Sequence, residues 1–95
     1  MSALLLATIK VKDQEKLKSY ISQVPATMAP YGAKMIARGK VLKVLSGEFN
    51  HQIEAIFEFP DAASIDSWYE SSEYQALIPL RNEGAHMNIA ILDSF

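Results

Sequence analysis

The chain has 95 residues, no cysteine and a formal net charge of −2. This length allows one domain, 1–95, and the missing cysteine excludes a disulfide framework, a thiolate nucleophile and sulfur ligands for a metal. The negative charge disfavours nucleic-acid binding, because such surfaces usually carry a basic stripe. We therefore expect one small domain in a reducing, cytoplasmic setting, stabilised by a partner.

The first predicted element is a strand from Ala3 to Val11. Its apolar residues alternate over both faces, with Leu4 and Leu6 on one and Leu5, Ala7, Ile9 and Val11 on the other. Both faces must therefore be covered. The segment follows no basic region and is far shorter than the roughly 20 residues that span a bilayer, so neither a signal peptide nor a membrane anchor is predicted.

A helix is predicted next, because Asp13 is a good N-cap and an apolar stripe follows at helical spacing. The stripe consists of Leu17, Tyr20, Ile21 and Val24. We expect Pro25 to end or kink this helix and the run Pro30-Tyr31-Gly32 to stop it.

The middle of the chain favours two more strands. Segments 34–37 and 41–45 flank Arg38-Gly39-Lys40, which indicates either two short strands around a bulge or one arm of a hairpin. After a turn at 46–50, the segment Gln52–Phe59 alternates as a long strand, with Ile53, Ala55, Phe57 and Phe59 on one face.

The last third of the chain predicts helical segments and a closing strand. We expect Asp61 or Ser64 to cap a helix. A second helical segment begins at Ser72, and Pro79 weakens that second segment. Met87–Leu92 is the final strand. The order βαββαβ predicts an α+β, ferredoxin-like domain with both helices on one side of an antiparallel sheet.

The segment from Phe59 to Arg81 resembles the signature of an uncharacterised family, a domain of unknown function in the dimeric α+β barrel superfamily. The matching residues are Phe59, Pro60, Trp68, Tyr69, Ser71 or Ser72, Glu73, Tyr74, Leu77 and Arg81, with Tyr31-Gly32 and Arg38-Gly39 upstream. The resemblance implies a homodimer in which two sheets pack face to face. The wider superfamily includes cofactor-free monooxygenases, haem enzymes and small-molecule sensors, so the fold alone does not choose a function.

Two arginines are candidate ligand-binding residues. Arg81 and Arg38 each carry a guanidinium that can hold a carboxylate or enolate through paired hydrogen bonds. The alternative for Arg81 is an ion pair with Glu73, Glu83 or Asp61, and the alternative for Arg38 is a solvated position at a sheet edge.

Aromatic residues supply a second set of candidates. Tyr31, Trp68, Tyr69 and Tyr74 can line an apolar cleft that holds a flat organic ligand. The alternative is that they form core, which is the more common role for aromatics at helical spacing.

His51 and His86 are the residues suited to proton transfer near neutral pH. Neither belongs to a metal-binding or haem-binding spacing, and the glycines form no nucleotide loop, so we expect no metal and no cofactor. His51 and Tyr74 are the candidate catalytic residues.

Two functions follow from these patterns. The first is a small homodimeric module that binds a small molecule or has a structural role. The second is a cofactor-independent enzyme, monooxygenase-like or isomerase-like, in which Arg38 or Arg81 holds a small organic acid or phenol and Tyr74 or His51 moves a proton. Whether Arg38, Tyr74 and Arg81 meet at one pocket distinguishes them.

Overall fold

The computed structural model describes residues 2–93. Its elements in chain order are β1 (Ala3–Val11), α1 (Gln14–Met28), β2 (Lys34–Lys40), β3 (Ile53–Phe59), α2 (Ala62–Glu70), α3 (Ser72–Gln75), α4 (Ile78–Gly84) and β4 (Ala85–Asp93), with a 3-10 turn at Ala29–Tyr31.

The four strands form one antiparallel sheet in the order β2-β3-β1-β4. β1 lies between β3 and β4, where Leu5 pairs with Phe57 on one side and with Ile91 on the other. The most apolar strand of the chain therefore occupies an internal position. The α+β, ferredoxin-like prediction is confirmed.

The segment after β2 differs from the sequence prediction. β2 is a single strand with a bulge between Met35 and Ala37, and 41–45 forms no strand. Within 41–45, only the N–H of Val41 donates a backbone hydrogen bond to a neighbouring segment, to the carbonyl of Gln52 at 2.8 Å. The segment therefore has no neighbouring strand with which it could form a ladder. Leu42 and Leu45 are consequently 99% and 88% exposed.

Prolines act differently at the two helical regions. α1 continues through Pro25 to Met28, because the ring is exposed while Val24 and Met28 on either side are buried in the core. In the second region Pro79 lies in the first turn of α4, where its missing N–H costs nothing, so it begins a helix instead of weakening one.

All four helices cover the same face of the sheet. The side chains of β1 and β3 that point toward them are the core residues Ala3, Leu5, Ile9 and Phe59, which pack against Leu17, Tyr20, Ile65 and Trp68. On the opposite face Leu4, Leu6 and Ile56 are only partly buried, and no other element of residues 2–93 covers them.

α1 and α4 approach so closely at Gly84 that only glycine fits. The Gly84 carbonyl accepts hydrogen bonds from the N–H groups of Lys12 (2.9 Å) and Asp13 (3.0 Å). A Cβ at this position would lie 2.6 Å from the backbone nitrogen of Leu17 and 2.8 Å from its Cα. This contact sets the position of α4, and with it that of Arg81.

We predict that Gly84→Ala lowers the free energy of unfolding by about 1–3 kcal/mol, since the added methyl group meets backbone atoms that cannot rotate away. Gly39→Ala is the matched control, because a Cβ there has no neighbouring atom within 4 Å. Urea unfolding followed by circular dichroism measures both. An equal effect of the two substitutions would contradict the close approach.

Candidate functional site

Tyr74 lies at the centre of a hydrogen-bonded cluster beneath the helices. Its hydroxyl is 2.8 Å from the hydroxyl of Tyr20 on α1 and accepts a hydrogen bond from Arg81 Nη1 on α4 at 3.0 Å. The same guanidinium nitrogen donates to the Tyr69 hydroxyl on α2 at 3.2 Å. Because Tyr74 belongs to α3, the cluster joins all four helices through polar atoms.

Aromatic rings enclose this cluster. The centroid of the Trp68 ring lies 4.2 Å from that of Tyr74 and 5.8 Å from that of Phe59, and the Tyr69 ring lies 5.2 Å from Tyr74. The indole nitrogen of Trp68 donates to Thr27 Oγ1 at 3.0 Å. Tyr74 is 0% exposed and Trp68 1% exposed, so both belong to the core.

Local sequence explains how Tyr74 is positioned. Ser71 ends α2 and caps α3: its hydroxyl donates to the Trp68 carbonyl at 2.6 Å and accepts from the Tyr74 N–H at 3.2 Å. The turn between α2 and α3 therefore places Trp68 and Tyr74 together. Arg81 lies on α4, a separate helix, and reaches Tyr74 across the break at 76–77.

The electrostatics of the cluster are unusual because its one cation has no carboxylate partner. Arg81 is half-buried, and no carboxylate of residues 2–93 lies within 4.0 Å of its nitrogens. The ion pairs with Glu73, Glu83 or Asp61 considered from sequence are absent among these residues, and Glu83 pairs with Lys16 instead at 3.3 Å.

The pKa values of Arg81 and Tyr20 both shift upward. Burial alone would lower the pKa of Arg81, but its hydrogen bonds to Tyr69 and Tyr74 outweigh that effect and raise it. Burial, followed by the neighbouring Tyr74, raises the pKa of Tyr20 well above its ordinary value. The guanidinium therefore stays charged, and Tyr20 stays a neutral phenol, throughout the physiological pH range.

Two clefts adjoin the cluster and share the lining residues Leu5, Met87 and Ile89. The first, which we call the helix cleft, lies beneath α1, has a volume of about 80 Å³, and is lined by apolar side chains together with Tyr20, Trp68 and Arg38. The second, which we call the Arg81 cleft, lies between α2, α4 and β4 and has a volume of about 260 Å³. Its polar lining residues are Asp66, Tyr69 and Arg81.

The candidate site residues predicted from the sequence lie in different regions of the structure. Tyr74 and Arg81 meet directly, whereas Arg38 is exposed on β2, at the opposite side of the helix cleft. Tyr31 is half-buried in the 3-10 turn and packs against the core. The three residues Arg38, Tyr74 and Arg81 therefore do not converge on one closed pocket.

His51 lies apart from the cluster, at the end of the sheet. Its Nε2 is 3.5 Å from Glu54 Oε1 without a hydrogen bond among the described residues, and its ring is 5.1 Å from that of Phe49. It lines a separate cleft of about 340 Å³ with Lys10, Asn50, His86 and Asn88. No group of three potential metal ligands from His, Cys, Asp and Glu occurs within residues 2–93.

Sequence reasoning missed two residues of the site. Tyr20 was assigned only to the apolar stripe of α1, although a phenol on an apolar stripe needs a buried hydrogen-bond partner. Asp66 is an exposed helical carboxylate with no local sequence signal, and only the packing of α2 on β4 brings it to the Arg81 cleft.

The chain belongs to the DUF1330 family, a domain of unknown function, whose model matches residues 2–95. No curated protein sequence is significantly similar to it. Within residues 2–93, every helix is too short or too polar to cross a membrane.

Several solved structures share the fold. The RPA0582 protein of unknown function from Rhodopseudomonas palustris is 15% identical, with a TM-score of 0.83 over 99% of this chain and 82% of that one. A dimeric ferredoxin-like protein of unknown function from Jannaschia sp. CCS1 is 9% identical, with a TM-score of 0.79 over 99% and 100%. SnoaB, a cofactor-independent oxygenase from Streptomyces nogalater, is 6% identical, with a TM-score of 0.72 over 99% and 93%.

We predict that Tyr74→Phe lowers the free energy of unfolding by about 1–3 kcal/mol, because it removes a hydrogen-bond partner of the buried Tyr20 and of the half-buried Arg81. Tyr31→Phe is the control, since the Tyr31 hydroxyl makes no hydrogen bond among residues 2–93 and its loss should cost less than about 0.5 kcal/mol. Thermal and urea unfolding of both variants provide the comparison. Equal stability of Tyr74→Phe and the unmodified protein would show that the cluster adds nothing to the fold.

Proposed function

We propose that this DUF1330 protein is a homodimer in which each protomer binds a small organic acid or phenol in the Arg81 cleft. The observation that carries the proposal is the charge of Arg81, which is held by phenol oxygens rather than by a carboxylate. The absence of cysteine also favours the cytoplasm as its location.

An anionic ligand would neutralise the positive charge of Arg81 in this cleft. Withdrawing a guanidinium from water is unfavourable unless an opposite charge or several hydrogen bonds compensate for it. Neutral phenols compensate only in part, because they accept hydrogen bonds from the guanidinium but carry no opposite charge. A carboxylate or phenolate in the cleft therefore gains more from Arg81 than it would from an arginine already paired with an acid.

The volume and the lining of the Arg81 cleft limit the size and the type of the ligand. At about 260 Å³, the Arg81 cleft lies just below the range of roughly 300–1,000 Å³ that is usual for drug-sized ligands. The apolar lining from Leu5, Ile65 and Ile89 suits a small hydrocarbon or aromatic body. Asp66 is exposed at the cleft and repels anions, which favours a ligand with a single acidic group.

The assembly proposal rests on the sheet face that the helices leave uncovered. Leu4, Leu6 and Ile56 lie on that face, and the nearby loop carries the exposed Leu42 and Leu45. A second copy of the chain covers such a surface through a two-fold contact. The description of the Jannaschia protein as dimeric supports this arrangement.

We predict that Ile56→Asp converts the dimer to a destabilised monomer, because the partner cannot bury an unpaired carboxylate at the centre of the contact. Size-exclusion chromatography with light scattering measures the mass. Ser67→Asp, on the exposed side of α2, adds the same charge away from this face and should leave the dimer intact. A stable monomer for the unmodified chain at micromolar concentration would contradict the assembly.

We predict that aromatic carboxylates bind the Arg81 cleft and that Arg81→Met lowers their affinity about 10–100-fold, as expected for the loss of a charged hydrogen bond. Trp68, the one tryptophan of the chain, packs against both Tyr69 and Tyr74, so its fluorescence reports binding without a label. Isothermal titration calorimetry gives the dissociation constants.

Two variants sharpen that experiment. Asp66→Asn should raise the affinity for anions up to about fivefold by removing the repulsive carboxylate. Arg38→Met removes an exposed arginine of the helix cleft and should leave binding unchanged. Loss of binding in Arg38→Met but not in Arg81→Met would place the ligand between α1 and β2. If no acid or phenol binds and Arg81→Met only destabilises the protein, a structural role is the better explanation.

The second candidate function is a cofactor-independent enzyme acting on the same class of compound. The observation that favours it is the pair of hydroxyls on Tyr20 and Tyr74 beside Arg81, which can stabilise an enolate or phenolate and relay a proton. Each bound compound is incubated with the protein in D₂O under air. Deuterium uptake or oxygen consumption that is lost in Tyr74→Phe would establish the isomerase-like or monooxygenase-like alternative, and unchanged compound would exclude it for that compound.

A further inference from the structure

A further cleft lies between α1 and the edge strand β2, and we call it the basic cleft. It is lined by the cationic side chains Lys18, Arg38 and Lys40 and by apolar side chains of β1, α1 and β3. Its volume is about 450 Å³, within the range of roughly 300–1,000 Å³ that is usual for sites of drug-sized ligands. It shares no lining residue with the Arg81 cleft, so the two clefts are separate places on the protein.

The spacing of the cations along two elements brings them to one cleft. Arg38 and Lys40 are two residues apart on β2, so their side chains lie on the same face of the strand. Their partners across the ladder are Ala55, which is buried, and Ile53, which packs against the core. Both cations therefore lie on the helix side of the sheet, and Lys18 lines the same cleft from α1.

The charges of the basic cleft are not balanced by acidic groups. Among residues 2–93, no carboxylate lies within 4.0 Å of the side-chain nitrogens of Lys18, Arg38 or Lys40, and no acidic residue lines the cleft. The chain has 11 acidic and 9 basic residues, so a shortage of acids does not explain this. Like charges that share a cleft repel one another, and an anion with two charges relieves that repulsion better than an anion with one.

The floor of the basic cleft is apolar. Val11, Ile21 and Ile53 are only partly buried and line the cleft together with Leu17. Covering such surface stabilises a complex in proportion to the apolar area removed from water. Cations that only keep a sheet edge from pairing with another strand need no apolar floor. The combination points to a ligand with a charged group and an apolar body.

We propose that the basic cleft is a second binding site, which takes a phosphate monoester with an apolar body. A phosphate monoester carries close to two negative charges near neutral pH and presents three strong acceptor oxygens on one compact group. A guanidinium binds phosphate through paired hydrogen bonds, and a lysine binds it as a point charge. The Arg81 cleft has one cation and the carboxylate of Asp66, so it suits a different class of anion.

The test uses 2-naphthyl phosphate and 2-naphthyl sulfate, two probes with the same apolar body that differ by one charge at pH 7.5. We expect the unmodified full chain to bind the phosphate at least fivefold more tightly. Lys18→Gln and Lys40→Gln should each lower the affinity for the phosphate about threefold to fivefold, the size usual for an exposed ion pair. Isothermal titration calorimetry gives the dissociation constants.

Two controls locate the phosphate. Lys34→Gln removes the same charge from β2 at an exposed position outside the basic cleft, and it should change the affinity less than twofold. Arg81→Met should leave phosphate binding unchanged. Equal affinity for the two probes, equal effects of Lys34→Gln and Lys40→Gln, or loss of phosphate binding in Arg81→Met each contradicts the proposal.

A second measurement needs no variant. In the unmodified protein, the backbone amide NMR resonances of 14–21 and 38–41 should shift when 2-naphthyl phosphate is added, and those of 66–69 and 78–84 should not. The reverse pattern overturns the proposal. So does the absence of binding at millimolar concentration, which would leave the cations only their role at the sheet edge. Neither result affects the aromatic-carboxylate prediction for Arg81, because that prediction concerns another cleft.

Discussion

The hydroxyl of Tyr74 is the interaction on which the arrangement of the helices depends. It is bonded to Tyr20 of α1 and Arg81 of α4, and its ring contacts Trp68 of α2. α3 has only four residues, so its position depends on contacts with the neighbouring helices. A fully enclosed polar group is tolerated only when its partners are in place, so the same bonds that hold the helices also determine where the guanidinium of Arg81 lies.

The sheet imposes a second constraint, because β1 is apolar on both faces. The helices cover one face and create the two clefts, while no element of residues 2–93 covers the opposite face, which carries Leu4, Leu6 and Ile56. The proposed ligand binding and the proposed assembly therefore use different sides of one four-stranded layer. Structures with the same fold include both a cofactor-independent oxygenase and proteins of unknown function, so the chemistry must be argued from the side chains on the helix side.

The close contacts around Arg81 also explain why function and stability are difficult to separate in this protein. Gly84 fixes α4 against α1, and Tyr69 and Tyr74 hold the guanidinium between α2 and α3. Any substitution at these positions changes the fold as well as the site. Asp66 is exposed at the Arg81 cleft and makes none of these contacts, so its substitution tests the proposed binding with less effect on stability.

Much of the fold was predictable from the sequence, because it depends on patterns that repeat over short distances. Alternation predicted β1 with its observed bounds and β3 to within one residue, and Asp13 and Asp61 cap α1 and α2 as expected. The strand predicted at 41–45 was wrong because apolar character alone does not provide a pairing partner. Pro25 was misjudged because the cost of one lost hydrogen bond is local, whereas the burial of Val24 and Met28 that offsets it is tertiary.

The sequence by itself determined the element order, the apolar faces and the residue types at the site, including Tyr74 and Arg81. Only the tertiary structure decided that these two residues meet, that Arg38 and His51 lie elsewhere, and that Tyr20 and Asp66 join the site. The physical reason is that the hydrogen bonds among Tyr20, Tyr74 and Arg81 join residues up to 54 positions apart in the numbering. Their geometry follows from how helices pack on the sheet, and local sequence patterns carry no record of that packing.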